Sequence, residues 1–187
     1  MGPVATRPVL VAHSLACGPA LRYASRHPER VSGLVLIAPS FLVKPSSRVA
    51  RSALASLALR RTTADRLAKM LGLSPDAALE SAAAHLRRPG AARRAIKALR
   101  ADHRARAQLR GLLREVPVPV RLIVGSEDPL TSLSDLPVSI VQGAGHYPQL
   151  TAPQEVARAL ADASAEYREP RGVPVHDRAP GPHERIS

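Results

Sequence analysis

Short apolar runs mark the strand-like parts of the chain. Residues 9–12, 31–37, 120–124 and 138–141 are rich in Val, Ile and Leu and do not alternate regularly with polar residues. Strands of a parallel sheet that helices cover on both faces have this pattern. The sequence therefore predicts about four mostly parallel strands.

Helical patterns follow the first and the last of these runs. Residues 15–27 and 151–167 carry apolar positions at helical spacing. Thr151 and Gln154 have the spacing of a capping box, and Pro153 suits a first helical turn, so we predict that the last helix begins at Thr151. Strands that alternate with helices indicate an α/β fold.

The segment between the second and third runs has a different pattern. Residues 44–113 contain no strand-like run, and their Ala, Leu and Arg residues predict several helices. This pattern fits a helical insertion and equally a plain helical part of the core. One narrow apolar stripe is predicted from four residues near helical spacing, namely Ile96, Leu99, Leu109 and Leu113.

Helix boundaries are also predicted inside this segment. Gly72 is expected to end one helix, and Ser74 and Pro75 are expected to be the N-cap and the first residue of the next.

Beyond the last helix, residues 168–187 are rich in proline and charged residues, and we expect them to be disordered. Two histidines in that tail, His176 and His183, lack metal-ligand spacing, so no metal site is expected there.

Composition narrows the class of protein. The chain has 187 residues, 45% of them hydrophobic, and no apolar run approaches the length that spans a bilayer, so no membrane partner is expected. Its single cysteine, Cys17, cannot form an internal disulfide, which fits a reducing compartment, and we expect a cytoplasmic location.

The net charge of +12 raises nucleic acid as a partner. The arginines are spread over helices, loops and the tail, however, and aromatic residues make up only 2% of the chain. Few rings are therefore available for stacking on bases. We do not expect a nucleic-acid partner, and a basic nucleic-acid binder is retained only as an alternative.

Three chemically distinctive residues follow the ends of predicted strands. Ser14 follows the first run, Asp128 follows the third, and His146 follows the last. In α/β sheets, ligands bind at the carboxyl ends of the strands. A serine, an acid and a histidine in this chain order are typical of the α/β hydrolases among serine-triad enzymes.

Three stretches resemble the α/β-hydrolase family. VLVAHSLACGPALRYASRHPERVSGLVLIAPS resembles that family's fifth strand, nucleophile elbow, helix and sixth strand. VPVRLIVGSEDPL resembles its seventh strand and acid loop, and VSIVQGAGHYPQLTAPQEVARAL its eighth strand, histidine loop and last helix. The resemblance implies a partial α/β-hydrolase fold with core segments at 1–43 and 114–167, a helical cap at 44–113 and a tail at 168–187.

The resemblance also implies a role for each site residue. Ser14 would be the nucleophile, His146 the general base and Asp128 the residue that orients the imidazole. The Leu15 backbone N–H would stabilise the oxyanion. The implied reaction is hydrolysis of a small ester or similar acyl substrate through an acyl-enzyme, without metal or organic cofactor. Relatives use the same triad on amides, lactones and carbon–carbon bonds, or act as cofactor-free haloperoxidases, and these reactions stay open as alternatives.

Neighbouring residues offer alternatives to these assignments. Glu127 adjoins Asp128, but Asp128 has the Gly-x-x-Asp spacing from Gly125, and Asp135 is a fallback acid. His13 is expected to pack against or shape the pocket. Cys17 is expected to be a small buried side chain. The letters SLAC also resemble a lipoprotein export signal, but His13 and Ser14 interrupt its apolar run.

The sequence departs from the family at two places. Ala12 and Ala16 replace the two glycines of Gly-x-Ser-x-Gly, so some strain is expected at the elbow. The family also has four strands and a second oxyanion donor before the nucleophile strand, which we expect this chain to lack. Loss of one such donor costs about 10²- to 10³-fold in rate.

That second departure has a consequence for partners. Without a preceding strand, the nucleophile strand would form an exposed apolar edge, which is a site for self-association or for a partner. The alternative function is therefore a catalytically weak or dead α/β-hydrolase fragment that acts as a binding or assembly module.

Overall fold

The computed structural model describes residues 7–42, 60–71, 73, 74, 76–128 and 137–168. Its centre is a four-stranded sheet in which the strands follow one another in chain order and every neighbouring pair is parallel. The prediction of four parallel strands is confirmed. The strands are β1 (Val9–His13), β2 (Gly33–Ile37), β3 (Val120–Gly125) and β4 (Val138–Val141).

Helices connect and flank these strands. A 3₁₀ turn at Ser14–Ala16 leads from β1 into α1, and short 3₁₀ turns at Pro28–Arg30 and Ser40–Leu42 lie before and after β2. Among the residues that the structure describes, three α-helices lie between β2 and β3, where the sequence predicts several. The α-helices in the described ranges are α1 (Cys17–Arg26), α2 (Ala64–Leu71), α3 (Ala77–Arg87), α4 (Ala91–Glu115), α5 (Pro148–Thr151) and α6 (Pro153–Arg168).

The sheet is covered by helices on both faces. All five residues of β2 are buried, which explains why its sequence is continuously apolar. On one face, Leu34 and Leu36 pack in a core cluster with Leu21 of α1 and Leu109 of α4. On the other face, a second cluster contains residues of β2, β3, β4 and α6, among them Val35, Ile37, Ile123, Val141 and Val156.

The outer strands are less protected. Among the described residues, no strand pairs with the second side of β1, and Val11 on that strand is 52% exposed. Ile140 on β4, at the opposite edge of the sheet, is 57% exposed. Both edges of the described sheet therefore present an apolar side chain to solvent.

The predicted start of the last helix is wrong. Thr151 is the final residue of the short helix α5, and its hydroxyl donates a hydrogen bond to the carbonyl of Tyr147 at 3.4 Å. A hydroxyl in this i−4 bond does not cap the next helix, which begins at Pro153. Pro153 at the first helical position is the part of the prediction that agrees with the structure.

The structure also corrects two predictions for residues 44–113, the N-cap of one helix and the apolar stripe of another. Helix α3 is capped by Asp76, whose carboxylate accepts a hydrogen bond from the Leu79 N–H at 2.8 Å, and not by Ser74. Leu99 is 39% exposed and is not part of a buried stripe, whereas Ile96, Leu109 and Leu113 are buried as predicted. Leu109 and Leu113, near the end of α4, belong to the cluster beneath the sheet, but Leu99 does not.

Several predictions fall outside the described residues. They concern the helix stop at Gly72, the helical position of Pro75, the fallback acid Asp135 and the tail beyond α6. None of the helices among the described residues is long and apolar enough to cross a membrane.

Candidate active site

Ser14 lies directly after β1 in a strained backbone conformation. Its φ angle is +53°, in the left-handed region that residues other than glycine rarely adopt. The preceding residue, His13, has extended backbone angles, and α1 begins three residues after Ser14. The chain therefore bends sharply between strand and helix, although Ala12 and Ala16 stand where the family has glycines.

Asp128 is held in a tight turn after β3. Its backbone N–H donates to the Gly125 carbonyl at 3.1 Å, which closes the turn directly at the strand end. The Asp128 carboxylate is almost completely buried, with 1% of the side chain exposed. Glu127, in contrast, is exposed. The buried side chain is thus the one that the Gly-x-x-Asp spacing selects.

The loop between β4 and α5 is attached to the Asp128 turn by backbone and side-chain hydrogen bonds. The Glu127 N–H donates to the Ala144 carbonyl at 3.0 Å, and the Gly143 N–H donates to Ser126 Oγ at 2.9 Å. Gly143 has a φ of +69°, a conformation that favours glycine. The two loops consequently form one hydrogen-bonded unit above the ends of β3 and β4.

Gly125 permits this close approach. A Cβ atom placed on Gly125 would lie 2.1 Å from the carbonyl oxygen of Ala144 and 2.3 Å from that of Gly145. No side chain can occupy that space, so only glycine allows the histidine loop to cross directly over the end of β3.

The structure brings the three sequence-predicted residues together in one hydrogen-bonded chain. Ser14 Oγ lies 2.8 Å from His146 Nε2, and His146 Nδ1 lies 2.9 Å from Asp128 Oδ2. Because the carboxylate only accepts, Nδ1 of the neutral ring donates to Asp128, and Nε2 accepts from the serine hydroxyl. In this arrangement, His146 Nε2 can accept the Ser14 proton when Ser14 Oγ forms a bond to another atom.

Two further rings surround His146, and the sequence did not identify their contacts. His13 Nε2 donates to the backbone carbonyl of His146 at 2.9 Å. The ring of Tyr147 lies 4.7 Å from that of His13 and 5.3 Å from that of His146, measured between centroids. The only sequence signal for this cluster is that His13 and Tyr147 directly adjoin predicted site residues.

Burial shifts the pKa of both flanking rings in the direction that favours the neutral form. It is the largest effect on His13, whose pKa it lowers, and the nearby His146 lowers that pKa further. The His13 bond to the His146 carbonyl and the charge of Asp128 oppose this change. Burial also raises the pKa of Tyr147. Both side chains are therefore neutral at pH 7.

Cys17 lies one turn beyond Ser14 but is fully buried. Its Sγ is 3.3 Å from the Ala12 carbonyl oxygen, and burial raises the pKa of the thiol to about 12. A neutral, inaccessible thiol is not a nucleophile at pH 7.

Leu15, which like Ser14 is a predicted site residue at the elbow, is half-buried in the 3₁₀ turn that begins at Ser14.

No group of three or more His, Cys, Asp and Glu side chains in the described part of the chain is arranged to hold a metal ion.

Solved structures with the same fold were compared with the chain. They include Cfl2 from Burkholderia cenocepacia, at 19% identity and a TM-score of 0.59, over 83% of this chain and 64% of that one. A carboxylesterase from Nitrososphaera gargenis has 19% identity and a TM-score of 0.55, over 85% and 65%. The haloalkane dehalogenase DatA from Agrobacterium tumefaciens C58 has 16% identity and a TM-score of 0.65, over 86% and 67%.

These likenesses extend over only part of the solved structures, because the chain spans less than two thirds of the length of the first two. No curated protein sequence matches the chain. The sequence profile of the alpha/beta hydrolase family, however, matches residues 2–159, which is most of the chain. The chain therefore belongs to the alpha/beta hydrolase family.

Proposed function

We propose that this protein is a serine hydrolase that cleaves an ester or a similar acyl substrate through Ser14, His146 and Asp128. The observation that carries the proposal is the continuous hydrogen-bonded chain from the Ser14 hydroxyl through the His146 ring to the buried carboxylate of Asp128. Nucleophile, base and orienting acid in this geometry are what acyl transfer by serine requires.

In the first half of the reaction, Ser14 Oγ attacks the acyl carbon while its proton moves to His146 Nε2. Asp128 stabilises the resulting imidazolium through the bond at Nδ1. The Leu15 N–H, at the start of the turn that follows Ser14, donates to the oxyanion, because the first N–H groups of a helix have no partner within it. His146 then gives the proton to the leaving alcohol, and an acyl-enzyme remains.

In the second half, water attacks the acyl-enzyme. His146 Nε2 takes a proton from this water, and the new carbon–oxygen bond forms as the bond to Ser14 Oγ breaks. The serine oxygen recovers its proton from His146, and a carboxylic acid leaves. The net reaction is hydrolysis, in which water takes the place of the alcohol on the acyl group, and the two steps as written use no cofactor.

The proposal is tested by labelling with a fluorophosphonate, which modifies an activated serine. We expect the wild-type chain to be labelled once, at Ser14, and Ser14→Ala to remain unlabelled. Ser164→Ala is the matched control, because Ser164 is a half-buried serine on α6 outside the site. Equal labelling of wild type and Ser14→Ala would exclude Ser14 as the nucleophile.

A second candidate function is a binding or assembly module, and the exposed Val11 on β1 favours it. A strand edge that presents backbone groups and an apolar side chain can pair with another chain, here a second copy of this one. Sedimentation should then show a dimer in wild type that Val11→Lys converts to monomer. Ile140→Lys, at the opposite edge, is the control. A monomeric wild type that is labelled at Ser14 would contradict this candidate.

A further inference from the structure

We infer that His13 is a positioning residue that holds the main chain of His146 against the nucleophile strand. The inference rests on the proposed function, in which His146 is the base. Its geometric basis is the hydrogen bond from His13 Nε2 to the carbonyl oxygen of His146 at 2.9 Å. Through this bond, His13, which precedes the nucleophile Ser14, contacts the backbone of His146, the residue that accepts the Ser14 proton.

The need for such a contact follows from the order of the strands. His146 is carried by the loop after β4, whereas Ser14 follows β1, and these strands lie at opposite edges of the four-stranded sheet. Three strand spacings separate them, which amounts to roughly 14 Å. The histidine loop must therefore cross the ends of β3 and β2 before its imidazole can reach Ser14.

The hydrogen bonds between the histidine loop and the turn after β3, including that of the His146 ring to Asp128, do not connect the loop to β1. Gly143 and Ala144 are bonded to the turn after β3. Two side-chain hydrogen bonds between described residues join the far end of the loop to β1. One is the bond from Ser14 to the His146 ring, and the other is the bond from His13 to the His146 carbonyl.

These two bonds have different roles during the reaction. The Ser14 bond is lost when the serine oxygen becomes acylated, because the acylated oxygen has no proton to donate. The His13 bond involves the main chain and needs no change in any reaction step. While Asp128 holds the His146 ring, the His13 bond can therefore keep the His146 main chain next to β1 throughout the life of the acyl-enzyme, when Nε2 must activate water.

The protonation of His13 agrees with this role. A carbonyl oxygen only accepts, so His13 must carry a proton on Nε2. Burial lowers the pKa of His13 and outweighs the hydrogen bond to the His146 carbonyl, which raises it; the nearby His146 lowers this pKa and the charge of Asp128 raises it, and the net lowering favours the neutral form with one proton. That single proton lies on Nε2, and the ring packs at 5.3 Å from the ring of His146 without adding a second charge.

Two substitutions separate the hydrogen bond from the packing of the ring. His13→Gln retains an N–H donor at nearly the reach of Nε2 but removes the ring. His13→Phe retains a ring that can pack against His146 and Tyr147 but removes the donor. A purely structural role for the ring predicts that His13→Phe is the milder change, whereas a positioning role predicts that His13→Gln is.

The first measurement is the rate of fluorophosphonate labelling of Ser14 across pH. We expect His13→Phe to be labelled about 10- to 100-fold more slowly than wild type, because displacement of a catalytic group by about 1 Å costs up to that much. His13→Gln should stay close to the wild-type rate. Wild-type labelling by His13→Phe, or a slower rate for His13→Gln than for His13→Phe, would overturn the inference.

The second measurement needs no activity, and its first part uses the wild-type chain alone. Nitrogen-15 NMR of wild-type His13 at neutral pH should show the proton on Nε2, and a proton on Nδ1 alone would overturn the inference. Proton NMR should also show the His146 Nδ1–H in its bond to Asp128, sharper in wild type than in His13→Phe. If wild type is not labelled, the proposed function fails, but the position of the His13 proton still decides this inference.

Discussion

His146 Nε2 lies 2.8 Å from Ser14 Oγ, although 132 positions separate the two residues along the chain. They follow strands at opposite edges of the sheet, so their distance depends on how the histidine loop crosses the intervening strand ends. Residues that fix the path of this loop should consequently affect the reactivity of Ser14 even when they never contact a substrate.

The first prediction concerns the carboxylate that orients His146. Asp128→Asn retains the shape of the side chain but presents an amide that can favour the wrong imidazole tautomer. We expect the rate of Ser14 labelling by a fluorophosphonate to fall on the order of 10⁴-fold. Glu127→Gln, a change in the adjacent exposed carboxylate, is the matched control and should leave the rate unchanged. A larger loss in Glu127→Gln would assign the acid to Glu127.

The second prediction concerns the contact between Gly125 and the histidine loop. In Gly125→Ala, the new Cβ would lie 2.1 Å from the Ala144 oxygen, so the loop must move. We expect the free energy of unfolding to fall by about 1–3 kcal/mol, together with a loss of labelling.

Gly111→Ala serves as its control. Gly111 lies within α4, and a Cβ there would meet nothing within 4 Å. The free energy of unfolding should rise by about 0.5–1 kcal/mol, because alanine favours the helix. Urea denaturation measures the free energy of unfolding of both variants. Equal values would contradict the close approach of the histidine loop to Gly125.

The third prediction concerns the reactivity of Cys17. Burial raises its thiol pKa from 9.0 to about 12, which reduces the thiolate fraction at pH 8 by roughly 10³-fold. Iodoacetamide should therefore alkylate the native protein at least that much more slowly than the urea-unfolded chain. Alkylation at similar rates in both states would show that the thiol is accessible.

The same change in pKa makes stability depend on pH. Between pH 9 and about 12 the unfolded thiol loses its proton while the folded one keeps it, so the unfolded state binds fewer protons. The free energy of unfolding therefore decreases as pH rises through this window. Cys17→Ala should remove this contribution, which denaturant titrations at pH 8 and pH 10 will detect.

The fourth prediction concerns the N-cap of α3. Asp76→Ala removes the carboxylate that accepts from the Leu79 N–H and should lower the free energy of unfolding by about 1 kcal/mol. Ser74→Ala removes the residue that the sequence suggests as the cap and should change it by less than about 0.5 kcal/mol. Thermal denaturation of both variants checks the assignment. A greater loss in Ser74→Ala would restore Ser74 as the cap.

The strands and the candidate triad could be predicted from the sequence for one shared reason. A parallel sheet covered on both faces needs continuous apolar strands, and its chemistry gathers where those strands end. Ser14, Asp128 and His146 each directly follow such a run. Their positions thus follow from local pattern and chain order, without knowledge of the packing.

Helix ends and packing partners were harder to predict, because several residues compete for each role. Thr151 has capping-box spacing, but its hydroxyl bonds to the carbonyl one turn before it. Ser74 and Asp76 are both good caps, and only the actual start of α3 selects Asp76. The contact of His13 with the His146 carbonyl depends on how two distant loops meet, which no local pattern records.

The parallel order of the strands has a consequence for folding. Ser14 acquires its hydrogen bond to His146 only after β2 and β3 have taken their places between β1 and β4, and the β2–β3 pairing, which joins Leu34 to Val120, closes a long stretch of chain. Non-local contacts of this kind form slowly. Serine reactivity should therefore emerge late during refolding, after most helical signal has returned, so a brief pulse of a serine-directed reagent would time the completion of the sheet.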